Sequence, residues 1–293
     1  MCIFEGSGVA LVTPFTKDGL INFSMMKKLI DFHCENKTDA IIVCGTTGES
    51  AALTDEEKIA CYKAAVEYTA GRVPVIAGTG TNATFHAIRL TKAAQEAGVD
   101  GLLIVTPYYN KTTQEGLIAH YTAIAKETSL PIIMYNVPSR TGLNMTADTT
   151  AHLINSIDNI VGIKEASGNI SQAAKIMALT HGRAALYSGN DDQIVPILSL
   201  GGKGVISVLA NIAPKDTHDM CEEYFKGNQT RSLELQLQAI PLIEQLFSEV
   251  NPIPVKKAMH FIGYEVGDPR LPLLKLSQKN CDKLLKAMQD YEL

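Results

Sequence analysis

The sequence has 293 residues, of which 46% are hydrophobic and 19% charged, and its formal net charge at pH 7 is −5. This balance is typical of a globular protein with a large core, and the acidic charge offers no electrostatic footprint for nucleic acid. No apolar stretch approaches the roughly 20 residues that are needed to cross a bilayer. We therefore expect neither a nucleic-acid partner nor a membrane partner.

The cysteines and the first residues indicate in which cellular compartment the protein works. The stretch MCIFEGSG (1–8) lacks the basic and apolar regions of a signal peptide. The six cysteines show no CxxC or other metal-binding spacing, and several lie in apolar segments. The seven histidines are scattered without ligand spacing, so we expect no metal site. Together these features predict a reduced, cytoplasmic protein.

Eight short apolar runs rich in Val and Ile predict β-strands. They are GVALVTP (8–14), AIIVCG (40–45), VPVIAGT (73–79), GLLIVTP (101–107), PIIMYNVP (131–138), IVGIKEA (160–166), ALYSGN (185–190) and GVISVLAN (204–211). Each run is continuous rather than alternating, which is typical of parallel strands that are covered on both faces.

Helical patterns separate these runs. In TDEEKIACYKAAVEYTAG (54–71), Thr54 and Glu57 form a predicted capping box, and Gly71 marks the predicted end of the helix. Strands that alternate with helices predict βαβ units. Eight such units favour an α/β fold with a closed (β/α)8 TIM barrel over an open sheet. The stretch TPFTKDGL (13–20), which follows the first strand, is also not the Gly-rich phosphate loop of an open sheet.

The strands stop after about residue 213, and the rest of the chain looks helical. The predicted helices cover residues 230–250, 252–264 and 277–291. No low-complexity linker precedes them. We therefore expect a barrel over residues 1–228 and a C-terminal helical region over residues 229–293 that packs on it.

Several predicted strands end in polar residues, and barrel active sites lie at the C-terminal ends of strands. GTTGES (45–50) has a backbone suited to binding a small carboxylate or phosphate, although a Gly/Thr-rich loop without a ligand is an equal alternative. Paired tyrosines such as those in TPYYN (106–110) are more often packing or interface residues than catalysts. In YNVPSRTG (135–142), Tyr135 is a candidate proton shuttle. Arg140 is a candidate carboxylate clamp, with a solvated loop cation as the alternative.

Lys164 ends the sixth strand in VGIKEASGN (161–169). A lysine at a strand end can simply extend its amine into water. A lysine that is enclosed among barrel residues is instead desolvated, which lowers its pKa and leaves a neutral amine that attacks carbonyl carbons. Neighbouring strands end in an anion-binding loop and in hydroxyl groups that can transfer protons. The motifs together predict Schiff-base chemistry on a keto acid.

The motifs GTTGES, VTPYYN, YNVPSRTG, GIKEASGN, SGNDD and GVISV, in this order and spacing, resemble the dihydrodipicolinate synthase family. This family belongs to the pyruvate-dependent class I aldolases, together with N-acetylneuraminate lyase. The resemblance covers essentially the whole chain. It implies a lyase without a cofactor that condenses pyruvate with L-aspartate 4-semialdehyde. The implied product is 4-hydroxy-tetrahydrodipicolinate, in lysine and diaminopimelate biosynthesis.

The resemblance also implies roles for individual residues. Lys164 matches the lysine that forms the imine with pyruvate, and Tyr135 matches the general acid/base. Thr46 and Tyr109 match its proton-relay partners, with Tyr109 reaching into the site of a neighbouring subunit. The implied substrate-binding residues are Thr47 for the pyruvate carboxylate, Gly189 and Ile206 for the same pocket through their backbone groups, and Arg140 for the semialdehyde carboxylate. The family is usually a homotetramer built of two dimers, and a dimer is the open alternative.

Three residues separate this chain from relatives with other properties. Arg140 favours the synthase, because sialic acid lyases typically lack an arginine in this loop. Lys58 and His86 stand where lysine-inhibited relatives have a histidine and a glutamate, so we expect weak or absent inhibition by lysine. One alternative comes from another class of protein. It is a barrel without catalytic activity that binds a keto acid as a sensor or scaffold. The intact relay residues argue against it.

Overall fold

The eight apolar runs form eight parallel strands, as predicted from the sequence. A computed structural model describes residues 2–293 of the chain. The strands are Gly6–Ala10 (β1), Ala40–Val43 (β2), Val75–Gly78 (β3), Gly101–Val105 (β4), Ile132–Asn136 (β5), Ile160–Glu165 (β6), Ala185–Ser188 (β7) and Gly204–Ser207 (β8). Each strand pairs in parallel with the next, and β8 returns to β1. The predicted (β/α)8 barrel is confirmed.

Twelve α-helices lie within residues 2–293. They are Phe23–Glu35 (α1), Asp55–Thr69 (α2), Thr84–Glu96 (α3), Gln114–Ala125 (α4), Pro138–Thr141 (α5), Ala147–Ser156 (α6), Ile170–Leu179 (α7), Ile194–Ser199 (α8), Pro214–Phe225 (α9), Gln229–Leu246 (α10), Ile253–Phe261 (α11) and Gln278–Asp290 (α12). The first nine follow the strands of the barrel, two of them (α5 and α6) after β5, and the last three come after the barrel. No helix in residues 2–293 is long and apolar enough to span a membrane.

Side-chain caps define where several helices begin. The Thr54 hydroxyl accepts a hydrogen bond from the Glu57 N–H at 3.2 Å, and the Glu57 carboxylate accepts one from the Thr54 N–H at 2.9 Å. The predicted capping box is thereby confirmed. Helix α2 ends at Thr69, and the next two residues, Ala70 and Gly71, both have left-handed backbone with φ of 49° and 73°. Such residues close a helix.

The core has two layers, one inside the barrel and one between the sheet and the helices. The inner layer includes Ile42, Ile76, Leu103, Ile133 and Ile206. At the N-terminal end of the barrel, the Phe4 ring stacks on the Tyr187 ring with centroids 4.5 Å apart. The Tyr187 hydroxyl also donates to the Phe4 carbonyl at 2.7 Å. These aromatic rings fill that end, so a site has room at the opposite end, where the strands finish.

Two glycines allow the barrel to close between β8 and β1. Gly6 and Gly204 are direct partners in this pairing, with φ of 109° and 143°. A Cβ atom at residue 204 would lie 1.8 Å from the Gly6 carbonyl oxygen. The two strands therefore meet backbone to backbone, and only glycine permits this approach.

The C-terminal helices contact the loops at the C-terminal end of the barrel. The side chain of Gln236, on α10, donates to the Asp191 carbonyl at 2.9 Å and accepts from the Val195 N–H at 3.2 Å. Both partners follow β7, so α10 is bonded to a loop that borders the barrel mouth. The division between residues 1–228 and 229–293 stays a prediction.

Helix α10 ends earlier than predicted. The apolar pattern predicts a helix over residues 230–250, whereas the helix stops at Leu246. Ser248 donates both its N–H and its hydroxyl to the Gln245 carbonyl, at 3.2 and 2.8 Å. This tightened turn satisfies a free carbonyl at the helix end and redirects the chain. Helices α11 and α12 lie within the segments that were predicted for them.

Candidate active site

Lys164 and Tyr135 lie side by side at the C-terminal ends of β6 and β5. They are direct partners in the pairing of these strands, and the Lys164 Nζ atom lies 4.5 Å from the centroid of the Tyr135 ring. The register shifts by one residue at Ile132 and Ile133, earlier in the same pairing. Such bulges often redirect side chains beside active sites. The barrel thus holds an amine next to a phenol.

Burial makes Lys164 an unusual lysine. Its residue surface is 5% exposed, and desolvation lowers the pKa of its amine to about 8. The charge of Asp191 raises this pKa and the charge of Arg140 lowers it, both by less than burial does. With a pKa near 8, about a tenth of the amine is neutral at pH 7. The neutral form is the one that adds to a carbonyl carbon.

Asp191 is a buried carboxylate whose influence on Lys164 was not foreseen, although the motif SGNDD (188–192) contains it. Its Oδ2 atom accepts hydrogen bonds from the backbone N–H groups of Val208 and Leu209, at 3.1 and 2.9 Å. Burial raises the pKa of this carboxyl group. An acid directly after a strand was the available signal. Its partners come from the next strand end, which no local pattern reveals.

The Tyr135 phenol is buried beside the loop that follows β2. Burial raises its pKa, and the Arg140 charge and the Thr46 hydroxyl oppose this rise. Thr46 itself is half-buried. The phenol therefore stays protonated at neutral pH, and the Thr46 hydroxyl is a neighbour that can exchange a proton with it.

Thr47 is buried, and its partner Asn251 was not indicated by any sequence pattern. The Asn251 Nδ2 atom donates to the Thr47 hydroxyl oxygen at 3.0 Å, across 204 positions of sequence. The Asn251 carbonyl accepts from the Arg140 Nη2 atom at 3.2 Å. Since the Thr47 oxygen already accepts a hydrogen bond, its own hydrogen is left to donate to a ligand. One residue of the C-terminal region thereby contacts two predicted substrate-binding residues.

Arg140 lies in α5, the four-residue helix that follows β5. Pro138 at the start of this helix has a backbone angle that is already suited to it. The Arg140 side chain and Thr46 line a shared cleft of about 360 Å³. Its wall on the C-terminal side includes Val250, Asn251, Pro252 and Leu271. A guanidinium that faces a cleft can bind a carboxylate with two hydrogen bonds.

Gly189 and Ile206 lie at the ends of β7 and β8. The Gly189 N–H donates to the Glu165 carbonyl at 2.8 Å, so a contact to a ligand would use the Gly189 carbonyl. A Cβ atom on Gly189 would lie 2.5 Å from the Ala166 Cβ, which leaves no space for a side chain. Ile206 is buried inside the barrel. Their contribution to the pyruvate pocket stays a prediction.

Tyr109 lies apart from this cluster, in the loop after β4. Tyr109 is 91% exposed, and its backbone is left-handed with φ of 68°. A hydrogen bond from Asn110 Nδ2 to the Asn82 carbonyl, at 2.9 Å, fixes this loop to the loop after β3. A fully exposed aromatic residue in this backbone region is uncommon. Its action in a neighbouring subunit stays a prediction.

Lys58 lines the same cleft as Arg140, and it belongs to a group of basic side chains around one carboxylate. The His86 Nε2 atom lies 2.9 Å from the Asp55 carboxylate oxygens, and the Lys58 Nζ atom lies 3.9 Å from one of them. Arg89 also contacts Asp55. Burial lowers the pKa of both Lys58 and His86. Asp55 is therefore already shared by three basic side chains.

A cluster of possible metal ligands lies at the other end of the barrel, although none was expected. The ligand atoms of His218, Asp219 and Glu222 on α9 lie within 4.8 Å of one another. His218 Nδ1 is hydrogen-bonded to Asp39 at 2.8 Å, and this bond raises the pKa of the imidazole. Asp39 also accepts from the Ser7 N–H at 2.7 Å. The cluster is thus an ion-pair network that ties α9 to β1 and β2.

The fold and the site together define a class of protein. A barrel that presents a desolvated lysine beside a phenol and a hydroxyl-rich loop is typical of aldolases that work through a lysine Schiff base. The comparison with known sequences narrows this class. The sequence profile of the Dihydrodipicolinate synthetase family matches residues 3–291. The chain belongs to this family.

Individual relatives match over nearly their whole length. The 4-hydroxy-tetrahydrodipicolinate synthase of Lachnoclostridium phytofermentans is 55% identical over 289 residues, which cover 99% of this chain and 98% of the relative. The crystal structure of dihydrodipicolinate synthase from Aquifex aeolicus has a TM-score of 0.97 at 43% identity and covers 99% of both chains. A structure of "the first monomeric dihydrodipicolinate synthase variant" has a TM-score of 0.97 at 42% identity, over 99% of this chain and 98% of that one.

Proposed function

We propose that this enzyme condenses pyruvate with L-aspartate 4-semialdehyde through a Schiff base on Lys164, giving 4-hydroxy-tetrahydrodipicolinate in lysine and diaminopimelate biosynthesis. The observation that carries the assignment is the Lys164 amine. It is buried at the C-terminal end of β6 beside the Tyr135 ring, and its pKa is lowered to about 8. Full-length relatives named 4-hydroxy-tetrahydrodipicolinate synthase support the choice of reaction.

The first half of the reaction forms an enamine. The neutral amine of Lys164 adds to C2 of pyruvate, and the carbinolamine loses its hydroxyl group as water to give the imine. Removal of a proton from C3 then gives the enamine. Tyr135 donates the proton for the departing water and accepts the proton from C3, with Thr46 passing protons to and from it. Thr47 donates its hydroxyl hydrogen to the pyruvate carboxylate, while Asn251 occupies its oxygen.

The second half forms the carbon–carbon bond. The enamine carbon attacks the aldehyde carbon of the second substrate, and the new alkoxide takes a proton from the Tyr135 relay. The amino group of the second substrate then attacks the imine carbon, closes the ring and displaces the Lys164 amine. Arg140 binds the carboxylate of this substrate with its guanidinium, which is oriented by the Asn251 carbonyl.

The acceptor distinguishes this reaction from that of a lyase of larger sugar acids. Purified enzyme would be incubated with pyruvate and borohydride, and its peptides analysed by mass spectrometry. We expect a reduced pyruvyl adduct on Lys164. We also expect turnover with aspartate semialdehyde and none with N-acetylmannosamine. Turnover of N-acetylmannosamine would contradict the synthase assignment, and the absence of an adduct would favour a silent keto-acid binder.

We also propose that the enzyme is a cytoplasmic homo-oligomer, a tetramer built of two dimers, in which Tyr109 completes the site of a neighbouring subunit. The six free thiols suit a reducing compartment. The support for a shared site is the exposed Tyr109 side chain. Since one solved relative is described as a monomeric variant, the oligomeric state needs its own test.

A complementation experiment tests the shared site. Lys164→Ala and Tyr109→Phe chains would each be nearly inactive alone. When they are co-expressed, a mixed dimer holds one site with both intact residues, so random pairing restores about a quarter of the sites. Sedimentation velocity on the wild-type chain gives the oligomeric state. No restored activity would mean that Tyr109 does not act across subunits.

A further inference from the structure

The loop that carries Thr46 and Thr47 ends in a strained residue, Glu49. Its backbone is left-handed, with φ of 56° and ψ of 33°. The Glu49 N–H donates to the Thr46 carbonyl at 3.0 Å, so the two residues belong to one turn. This conformation is uncommon for a residue with a side chain, and in a buried residue it depends on the surrounding contacts.

The surroundings that hold Glu49 come from the C-terminal region. The Lys256 Nζ atom donates to Glu49 Oε1 at 2.6 Å, and the Arg270 backbone N–H donates to Glu49 Oε2 at 2.8 Å. The side chains of Lys256 and Glu49 are 2% and 1% exposed. Water and salt therefore do not screen this ion pair, and removing either partner would leave a buried charge without compensation.

Lys256 is itself fixed on several sides. Its amine lies 4.2 Å from the centroid of the Phe15 ring and donates to the Asp268 carbonyl at 3.3 Å. The Arg270 guanidinium lies 4.4 Å from the centroid of the same ring and donates to both carboxylate oxygens of Glu57, at 2.5 and 2.7 Å. The segment that contacts Glu49 is thus anchored to α2 and to the loop after β1.

We propose that Lys256 is a positioning residue for the reaction at Lys164, because its ion pair with Glu49 holds the turn that presents Thr46 and Thr47. We call the ion pair of Glu49 and Lys256 the brace. This inference rests on the proposed function, since it concerns the loop that binds pyruvate and transfers protons there. Lys256 touches none of the reacting atoms and acts through Glu49.

The brace and Asn251 work from the same part of the chain. The Lys256 N–H donates to the Pro252 carbonyl at 3.0 Å, so Lys256 lies in the first turn of α11, directly after Asn251 and Pro252. Asn251 contacts the Thr47 side chain, and Lys256 contacts the Glu49 side chain, which lies two residues further along the loop. Two contacts, one from the residue just before α11 and its cap and one from the first turn of α11, therefore hold the loop at two points. The C-terminal helices are in this sense a part of the active site.

A matched pair of variants separates positioning from stabilisation. Glu49→Gln removes the charge of the brace at nearly constant shape. Glu57→Gln makes the same change in a carboxylate that anchors the same segment through Arg270 and has no contact with the Thr46 turn. Lys256→Met and the double variant that combines it with Glu49→Gln complete a double-mutant cycle.

The experiment measures kcat, KM for pyruvate, the rate of borohydride-trapped adduct formation at Lys164, and Tm. We expect Glu49→Gln and Lys256→Met each to lower kcat/KM for pyruvate about 10- to 100-fold, since small displacements of positioning groups have effects of this size. The double variant should be no worse than the poorer single variant. Glu57→Gln should keep kcat/KM within about twofold of wild type while lowering Tm.

Two results would overturn the proposal in distinguishable ways. If Glu49→Gln lowers Tm but keeps wild-type kcat and KM at a temperature where it is folded, the brace stabilises the protein without positioning the loop. If wild type itself gives no adduct at Lys164, the proposed function fails and the positioning role fails with it. Should Lys256→Met be insoluble, the comparison of Glu49→Gln with Glu57→Gln decides the question alone.

Discussion

Two lysines are buried at the same end of this barrel, in opposite surroundings. Lys164 and Lys256 are 5% and 3% exposed, and burial lowers the pKa of both amines. Lys256 is in direct contact with the Glu49 carboxylate, at 2.6 Å. Lys164 lies against the Tyr135 ring and is affected by Asp191 through its charge alone.

The difference teaches what makes a buried amine reactive. Desolvation favours the neutral amine, whereas a carboxylate in hydrogen-bond contact favours the ammonium form and occupies its hydrogens. Lys256 has such a contact, so it keeps its charge and holds structure. Lys164 lacks that contact within the described residues and is therefore partly neutral at pH 7. Five predictions test this contrast between a reactive lysine and a structural one.

The largest effect is expected at the reactive lysine. Lys164→Met removes the nucleophile, so we expect the condensation rate to fall about 10³-fold or more. The measurement is kcat/KM with both substrates, and circular dichroism verifies the fold. A residual rate within tenfold of wild type would show that the amine is not the nucleophile.

The free energy of unfolding should change in opposite directions at the two lysines. Lys256→Met leaves the Glu49 charge buried without its counter-charge, so we expect a loss of about 3–5 kcal/mol. Lys164→Met should instead raise stability at pH 7, by up to about 3 kcal/mol, because it removes a desolvated ammonium group. Urea unfolding of the two variants at pH 7 measures both values.

The pH dependence of the free energy of unfolding provides a control for the prediction on Lys164→Met. The folded-state pKa, about 8, lies below the ordinary value of 10.5. The unfolded chain therefore binds more protons between these two values, so wild-type stability gains from rising pH in that window. The advantage of Lys164→Met should be complete below about pH 8 and should shrink towards pH 10.5. An advantage that does not change with pH would have another origin.

The next effect concerns Arg140, whose charge helps to lower the pKa of Lys164. Arg140→Ala should lower kcat/KM for aspartate semialdehyde about 10²-fold, because a bidentate carboxylate contact is lost. Adduct formation with pyruvate should change far less. Arg140→Lys keeps the charge without the paired hydrogen bonds and serves as the control. Equal losses in both steps would contradict the assignment of Arg140 to the second substrate.

The lowered pKa of Lys164 should also determine how the rate of imine formation depends on pH. The neutral fraction of an amine with a pKa near 8 rises about fivefold from pH 7 to pH 8. We expect the rate of imine formation at limiting pyruvate to rise by the same factor and to level off above pH 8. A rate that does not change over this interval would mean that the amine is already neutral at pH 7.

The smallest effect is expected from added lysine. Lys58 lines the cleft beside the site, so a ligand ammonium would meet its positive charge, and His86 stands where a glutamate would be needed to pair with that ammonium. We expect 1 mM lysine to change the rate less than about twofold, because a lost charge pairing costs about 3–5 kcal/mol. Combining Lys58→His with His86→Glu should increase the inhibition. Strong inhibition of the wild-type enzyme would contradict this expectation.

Local patterns in the sequence were enough to predict the barrel and the position of Lys164. The strands lie in apolar runs that are rich in Val and Ile, the Thr54 capping box involves neighbours in the chain, and Lys164 lies near the end of its own strand. Such features depend on residues a few positions apart, and the same short-range chemistry operates in the folded molecule.

The remaining features depend on contacts that are distant in sequence. Asn251 meets Thr47 across 204 positions, and Lys256 meets Glu49 across 207. Nothing in GTTGES itself marks Glu49 as buried, because the groups that bond its carboxylate belong to Lys256 and Arg270. Nothing in the predicted helical segment 252–264 marks Lys256 as buried either. No periodicity indicates such a pair, because each partner becomes informative only when the other lies beside it.

The position of the brace in the chain also has a consequence for synthesis on the ribosome. The loop with Thr46 and Thr47 is made early, whereas Lys256 and Arg270 come more than 200 residues later. At 5–20 residues per second, the nascent chain waits roughly 10 to 50 s before Glu49 can meet its partners. During that interval Glu49 lacks Lys256 and the Arg270 N–H, and the turn keeps only its bonds to earlier parts of the chain, such as the one from the Thr13 hydroxyl to the Gly48 carbonyl. If the brace positions the loop as proposed, the site becomes complete only when translation is nearly finished.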